Sequence, residues 1–222
     1  MASMYEMLMD LPLFKGVGKD QISNFLEKTN INFLNYHDTE ILVECGDPVK
    51  MVRFVMTGRV RIIHPLKSAA ISVEEIAGFG RVLGAERLFG MTTGFPYRAV
   101  SLGKTSIMEF SKEQYVNLLH SDRIYILNFF NYLSSRAQRP VEALMHYCHG
   151  NIRSRLCELV SMLTESGSTG LVINATDASL ADYCGTTTAE IVEWKREAES
   201  AGLLTSAAGS IHINSRMEFL EI

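Results

Sequence analysis

Thr176–Leu204, TDASLADYCGTTTAEIVEWKREAESAGLL, decides how the chain is read. Thr176 or Asp177 can cap a helix whose apolar side carries Leu180, Ala181 and Cys184 or Tyr183. Gly185 supplies the permissive backbone that a sharp interhelical turn requires. Thr186, Thr187 and Thr188 offer hydroxyls to cap a second helix, along which Ile191, Trp194 and Ala198 recur at helical spacing. Gly202 closes that helix. Helix, glycine turn and helix form the pattern that sets a recognition helix in a DNA major groove, and the same pattern occurs in plain bundles. The flanking sequence has to choose between them.

Immediately before this stretch, Leu171-Val172-Ile173 reads as a short strand. Ahead of it, Ile152, Leu156, Leu159, Val160 and Leu163 mark a helix that ends at Ser166-Gly167-Ser168-Thr169-Gly170. After it, Leu203–Ser206 and Ser210–Ile213 face each other across Ala207-Ala208-Gly209 as a hairpin. Helix, strand, helix-turn-helix and hairpin together make a winged helix over residues 149–222. His149-Gly150-Asn151 is the natural hinge before it.

Further upstream, residues 122–148 read as one long helix. Leu127, Phe130, Leu133, Ala137, Val141, Leu144 and Cys148 follow three- and four-residue steps, the narrow seam of a two-stranded coiled coil. The alternative is that this face packs on the chain's own sheet. Proline costs ~3 kcal/mol inside a helix, so Pro140 predicts a kink or break near Arg139. Residues 10–30 give a turn and an amphipathic helix bearing Ile22, Phe25 and Leu26. Between Asn32 and Phe110 the pattern becomes short β-branched runs: Glu40–Val43, Val52–Met56, Val60–Ile63, Ile71–Val73, Arg98–Leu102 and Ser106–Phe110. Gly46-Asp47-Pro48, Thr57-Gly58 and Gly78-Phe79-Gly80 punctuate them. The expected fold is α+β: an amino-terminal antiparallel β-roll of jelly-roll type (1–121), a long dimerisation helix (122–148) and a carboxy-terminal winged helix-turn-helix (149–222).

Composition sets further bounds. The 222 residues are 47% hydrophobic with a formal net charge of −4. Residues 1–148 hold 16 Lys and Arg against 15 Asp and Glu, and residues 149–222 hold 5 against 10. A DNA-binding half normally leans the other way. Cys45, Cys148, Cys157 and Cys184 show no CxxC spacing, so neither a zinc ribbon nor a compact iron–sulfur site is indicated. MASMYEMLMDLP lacks a basic signal-peptide region, and no apolar run reaches the ~18 residues of a membrane helix. A soluble cytoplasmic protein with no membrane partner is expected.

Over nearly its full length the chain resembles the CRP/FNR family of bacterial transcription regulators. Leu11-Pro12-Leu13-Phe14-Lys15-Gly16-Val17 resembles the family's opening. Ile41-Leu42-Val43-Glu44-Cys45-Gly46-Asp47-Pro48, followed by Val52 to Val60, resembles its cyclic-nucleotide-binding roll. The long helix stands where the family dimerises, and the winged helix follows. The resemblance implies a homodimer that binds double-stranded DNA under control of a small effector, with RNA polymerase as a further partner and no enzymatic activity. A metal-dependent enzyme on a cupin-like roll is the distant alternative, and no His/Glu cluster of usable spacing stands among the strands.

At the effector end the residues depart from the nucleotide-binding pattern. Such relatives place Gly-Glu for the ribose hydroxyl and Arg-Ser-Ala for the cyclic phosphate. Aligning on Gly84 and Leu88 puts Ala85 where the glutamate belongs, with Glu86 one residue later. Aligning on Ala99 puts Tyr97 at the arginine and Arg98 at the serine. A one-residue displacement in a strand sends a side chain to the opposite face. Two readings follow. Loss of the positioned arginine removes a charge-assisted phosphate contact and disfavours cyclic AMP. Alternatively, a bulge returns Arg98 to the pocket while Glu86 takes the ribose. The first is favoured, and Phe79, Tyr97, Phe89 and Met91 suit a smaller or more apolar effector. A filled roll without ligand is the third option. The family's amino-terminal iron–sulfur cysteines are absent. His37, His64, His120, His146 and His149 leave haem as a minor option.

At the DNA end the family opens its second helix with Arg-Glu and adds an arginine one turn later. Aligned on Gly185, those places are held by Thr188, Ala189 and Glu193. Thr187 can bond a phosphate at the helix amino terminus, and Lys195 and Arg196 can reach the backbone, opposed by Glu190 and Glu193. Glu193 can accept from a cytosine amino group, while Thr188 and Ala189 can touch a thymine methyl. Binding that is weaker, more sensitive to salt, or aimed at a different sequence is expected. The rival is a sensor or interaction protein that keeps the fold without binding DNA specifically, a reading the acidic second half favours.

Overall fold

The computed structural model describes residues 4–66, 69–148 and 150–221. In chain order the elements are α1 (Met4–Met9), α2 (Lys19–Lys28), β1 (Asn32–Tyr36), β2 (Ile41–Val43), β3 (Met51–Leu66), β4 (Ile71–Ala77), β5 (Val82–Leu83), β6 (Arg98–Ser111) and α3 (Lys112–Ser121). They continue with α4 (Arg123–His146), α5 (Ile152–Leu163), β7 (Thr169–Asn174), α6 (Asp177–Cys184), α7 (Thr188–Ser200), β8 (Leu204–Ala207), β9 (Ser210–Ile213) and α8 (Arg216–Leu220). Two compact units result: Met1–Val60 with Gly78–Ala137, and Arg61–Ala77 with Gln138–Ile222. The sequence begins the winged helix at residue 149; the packing places residues 61–77 and the end of α4 in the same unit.

In the first unit β6 is the organising strand. It pairs antiparallel with β1, from Asn32 opposite Glu109 to Tyr36 opposite Thr105, and with β2 through Val43 opposite Ala99. β3 also neighbours β6 and carries β5. Aromatic rings fill the space against the helices. Phe14 packs on Phe25 at 5.2 Å and on Phe54 and Tyr125 at 5.9 Å, and Phe110 joins Phe25, Phe54 and Tyr115. Each such side chain contributes roughly 1.5–3 kcal/mol on burial.

The sequence divides β3 at Thr57-Gly58 and β6 between Leu102 and Ser106; the structure runs both strands through. Gly58 has φ 79° and lies against the other strand, where a Cβ would meet the Lys104 carbonyl oxygen at 2.4 Å. The Thr105 hydroxyl donates to the Arg59 carbonyl at 2.9 Å. Gly58 is therefore a close-approach position inside a strand pair, not a turn.

Pro140 lies inside α4, and the helix runs unbroken from Arg123 to His146. The expected break near Arg139 does not occur. Ala143 and Tyr147, just beyond it, are buried in the core of the second unit, and Arg139 donates to the Thr164 carbonyl at 3.3 Å. That packing holds the turn which proline weakens. His149, part of the expected hinge, lies outside the described residues; Asn151, two residues on, caps α5, its Oδ1 accepting from Ser154 N–H at 2.8 Å.

The second unit contains the expected winged helix. β7 pairs with β9 from Leu171 opposite Ile213 to Asn174 opposite Ser210, and β9 pairs with β8. The other edge of β7 is covered by β4, with Val73 opposite Ile173. Val73, Leu156, Val160, Ile173, Leu180, Ile191 and Phe219 form the fully buried centre of this unit's core.

Gly58→Ala tests the strand crossing. The strained φ and the 2.4 Å approach together predict a loss of about 2 kcal/mol or more in urea unfolding of the full chain. A wild-type midpoint would show that the two strands do not come this close.

Candidate nucleic-acid interface and effector site

The helix-turn-helix is fixed by its caps. Thr176 Oγ1 accepts from Ser179 N–H at 3.1 Å and starts α6. Gly185, at φ 63° and ψ 42°, ends it and makes the turn. Thr187 starts α7: its hydroxyl accepts from Glu190 N–H at 3.2 Å, and Glu190 accepts from Thr187 N–H at 3.0 Å. The hydroxyls of Thr186 and Thr187 also donate to Glu190 Oε2. These bonds, the Thr186 hydroxyl first, hold the Glu190 carboxyl below its usual range.

The consequence is chemical. The amino terminus of α7, where a phosphate would sit, is occupied by the chain's own carboxylate. The Thr187 hydroxyl expected to meet phosphate is engaged there. Lys195 Nζ lies 2.7 Å from Asp177 Oδ1 and ties α7 to α6, so it is also committed internally. Thr188, Ala189, Val192, Glu193 and Arg196 are exposed on α7. Arg196 Nη2 is 3.7 Å from Glu193 Oε1. The wing adds no Lys or Arg between 204 and 213. Ser206 N–H donates to Glu199 Oε1 at 2.5 Å, which fastens β8 to α7.

In the first unit, the residues named for an effector separate into two groups. Gly84 has φ 81°, and its N–H donates to the Tyr97 hydroxyl at 3.1 Å. Ala85, Leu88, Tyr97 and Ala99 are buried. Burial, reinforced by Glu86, pushes the Tyr97 phenol well above its ordinary value. Arg98 alternates away from Tyr97 and Ala99, and its Nε lies 3.3 Å from Glu44 Oε2. The register shift in this pairing lies on β2, between Ile41 and Val43, and Arg98 stays beside Glu44. Glu86 accepts from the Tyr132 hydroxyl of α4 at 3.0 Å.

Sequence reasoning missed the basic groups here. Arg81 is buried, Arg136 lies over the Tyr132 ring at 5.3 Å, and both act electrostatically on Tyr97. Tyr132 and Arg136 stand four residues apart on the helix, a signal available in the sequence but overshadowed by the apolar seam. Of that seam, Leu127, Phe130 and Ala137 are exposed and Leu133 half-buried in the first unit, and Val141 and Leu144 are exposed in the second. Tyr125, Phe129 and Ala143 are the α4 residues that pack inward. Among the described residues no group of three or more His, Cys, Asp or Glu side chains could hold a metal, and no helix is long and apolar enough to cross a membrane.

Solved structures from two bacterial genera are among those that share this architecture. The catabolite activator protein of Thermus thermophilus superposes with a TM-score of 0.53 at 16% identity, covering 95% of this chain and 97% of that one. CLP, described as a c-di-GMP-responsive global regulator in Xanthomonas campestris, gives 0.54 at 18% identity over 89% of this chain and 100% of that one. No protein-family model matches the sequence, and no curated protein does. The fold is thus that of CRP/FNR regulators: an antiparallel β-domain, a long helix and a winged helix-turn-helix.

Tyr97→Phe leaves the buried Gly84 N–H without its acceptor. The expected loss is ~1–3 kcal/mol in chemical denaturation, with the far-ultraviolet spectrum unchanged. Unaltered stability would show that Gly84 N–H has another partner.

Proposed function

We propose that the chain is a homodimeric transcription regulator of the CRP/FNR type that binds double-stranded DNA through α7 and the β8–β9 wing. The observation that carries this reading is the exposed face of α7 beside a hairpin wing, on a helix-turn-helix whose caps are complete. Thr188, Ala189 and Glu193 read base edges, and Arg196 makes the principal cationic contact. With so few cations on that face, counterion release supplies little of the affinity, and its salt dependence is shallow.

Dimerisation uses the α4 seam of Leu127, Phe130, Leu133, Ala137, Val141 and Leu144, exposed except at half-buried Leu133, against the same seam of a second copy. The effector is a small molecule bound near Gly84 and Tyr97. Cyclic AMP does not suit this end, because Arg98 faces Glu44 and Ala85 offers no carboxylate. RNA polymerase is the further partner such a regulator needs at a promoter.

Titration of labelled duplexes from the chain's own upstream region tests the DNA reading. Saturable binding to one segment is expected at ~50 mM salt, unaffected by cyclic AMP and weakened about tenfold or more by Arg196→Ala. Absence of binding, with and without cell extract, would leave the alternative of a fold-retaining interaction protein; Glu190 filling the α7 anion site favours that alternative.

The dimer is tested separately. Phe130→Asp, at an exposed position, places a charge in the seam and is expected to convert the dimer to monomer in sedimentation equilibrium with little change in monomer fold. A wild-type that sediments as a monomer would refute the assembly.

A further inference from the structure

The second unit contains a groove of about 650 Å³ along one side of α7, beside the start of α5. Trp194, Ala198 and Leu203 contribute its apolar surface, and Glu190, Glu193 and Glu197 line it on α7. These carboxylates recur every three or four residues, so they project on one side of the helix with axial rises of ~4.5 and ~6 Å. Glu190 is held by the cap and Glu193 pairs loosely with Arg196, while Glu197 is exposed. Arg153 also borders the groove, and its guanidinium is drawn to the carbonyls of Glu218, Phe219 and Glu221.

Like charges three and four residues apart on a helix repel. A row of three beside the chain's one tryptophan leaves an acidic and aromatic strip that a cationic, partly apolar surface would complement. Tryptophan is also among the residues that most often anchor interfaces. We propose that this groove docks a basic amphipathic segment of a partner protein. Its Lys or Arg side chains lie along Glu193 and Glu197 and over the Trp194 ring, and its apolar side chains rest on Ala198 and Leu203. The groove shares Glu193 with the face proposed for base contacts, so the two uses compete at that residue; the titration below contains no DNA and tests the groove alone.

Trp194 is the chain's only tryptophan, so its emission reports on the groove directly. The full-length protein is titrated with a synthetic Lys/Leu peptide of amphipathic helical pattern. Parallel arms use the same pattern with Glu for Lys, oligolysine, and spermine. A saturable emission change is expected for the Lys/Leu peptide alone, weakened by raising salt from ~50 to ~500 mM. The double variant Glu193→Gln/Glu197→Gln, at exposed positions, is expected to bind about three- to tenfold more weakly with an unchanged circular dichroism spectrum. The proposal is overturned by no saturable change, or by a double variant that binds like wild type. Equal responses to oligolysine or spermine would reduce the groove to a site for small cations and also overturn it. An emission change on concentrating the protein without peptide would assign the groove to a second copy instead.

Discussion

The carboxylate of Glu75 has no exposed surface, and the second unit is assembled around satisfying it. A charge buried in this way costs several kcal/mol unless it is paired and hydrogen-bonded. His64 Nε2 lies 3.1 Å from Oε1, and Oε2 accepts from Glu165 N–H at 3.0 Å and from the Ser168 hydroxyl. Those partners come from β3 and from the loop between α5 and β7. Glu75 therefore fixes that loop against β4 at the point where the β4–β7 register shifts, between Glu74 and Ile76. Thr164, one residue before Glu165, receives Arg139 from α4 and Arg216 from α8. With β7 fixed on this edge, its other edge positions β9, and the wing follows.

The same economy governs the surface that would meet DNA. Asp177 takes Lys195, Glu190 takes the hydroxyls of Thr186 and Thr187, Glu199 takes the β8 backbone, and Arg153 takes the carbonyls at the carboxy terminus. Each bond stabilises the winged helix, and each removes a charge or donor that could reach a phosphate. Lys195 and Thr187 illustrate the conflict, since their sequence positions suit DNA contact and their side chains serve α6 and α7. Recognition of DNA by such a surface would rely on shape and a few base contacts rather than on backbone charge.

Much of the fold was legible because its signals are local. The caps at Thr176 and Thr187, the Gly185 turn and the hairpin across Ala207–Gly209 depend on residues within a few positions of one another. Long-range effects were not legible. Gly58 looks like a turn until Lys104 is placed beside it, and Pro140 looks like a break until Ala143 and Tyr147 are buried. The pairing of β4 with β7 joins segments a hundred residues apart, as Ser72 opposite Asn174 shows. One local signal went unread: Ser111-Lys112-Glu113-Gln114 is a capping box, and it starts α3.

The stretch from Gly84 to Ala99 shows why spacing carried further there than residue type. Arg98 looks like a displaced phosphate ligand, and strand alternation alone sends it to the opposite face from Tyr97 and Ala99. The structure gives it Glu44 as a neighbour on that face. Residue type would have nominated Arg98, whereas the arginines acting on Tyr97 are Arg81 and Arg136, distant from it in sequence. Arg136 and Tyr132 belong to α4, whose opposite side carries the exposed seam residues Leu127 and Phe130. The Glu86–Tyr132 hydrogen bond thus ties the turn after β5 directly to the side of α4 that lies away from Leu127 and Phe130.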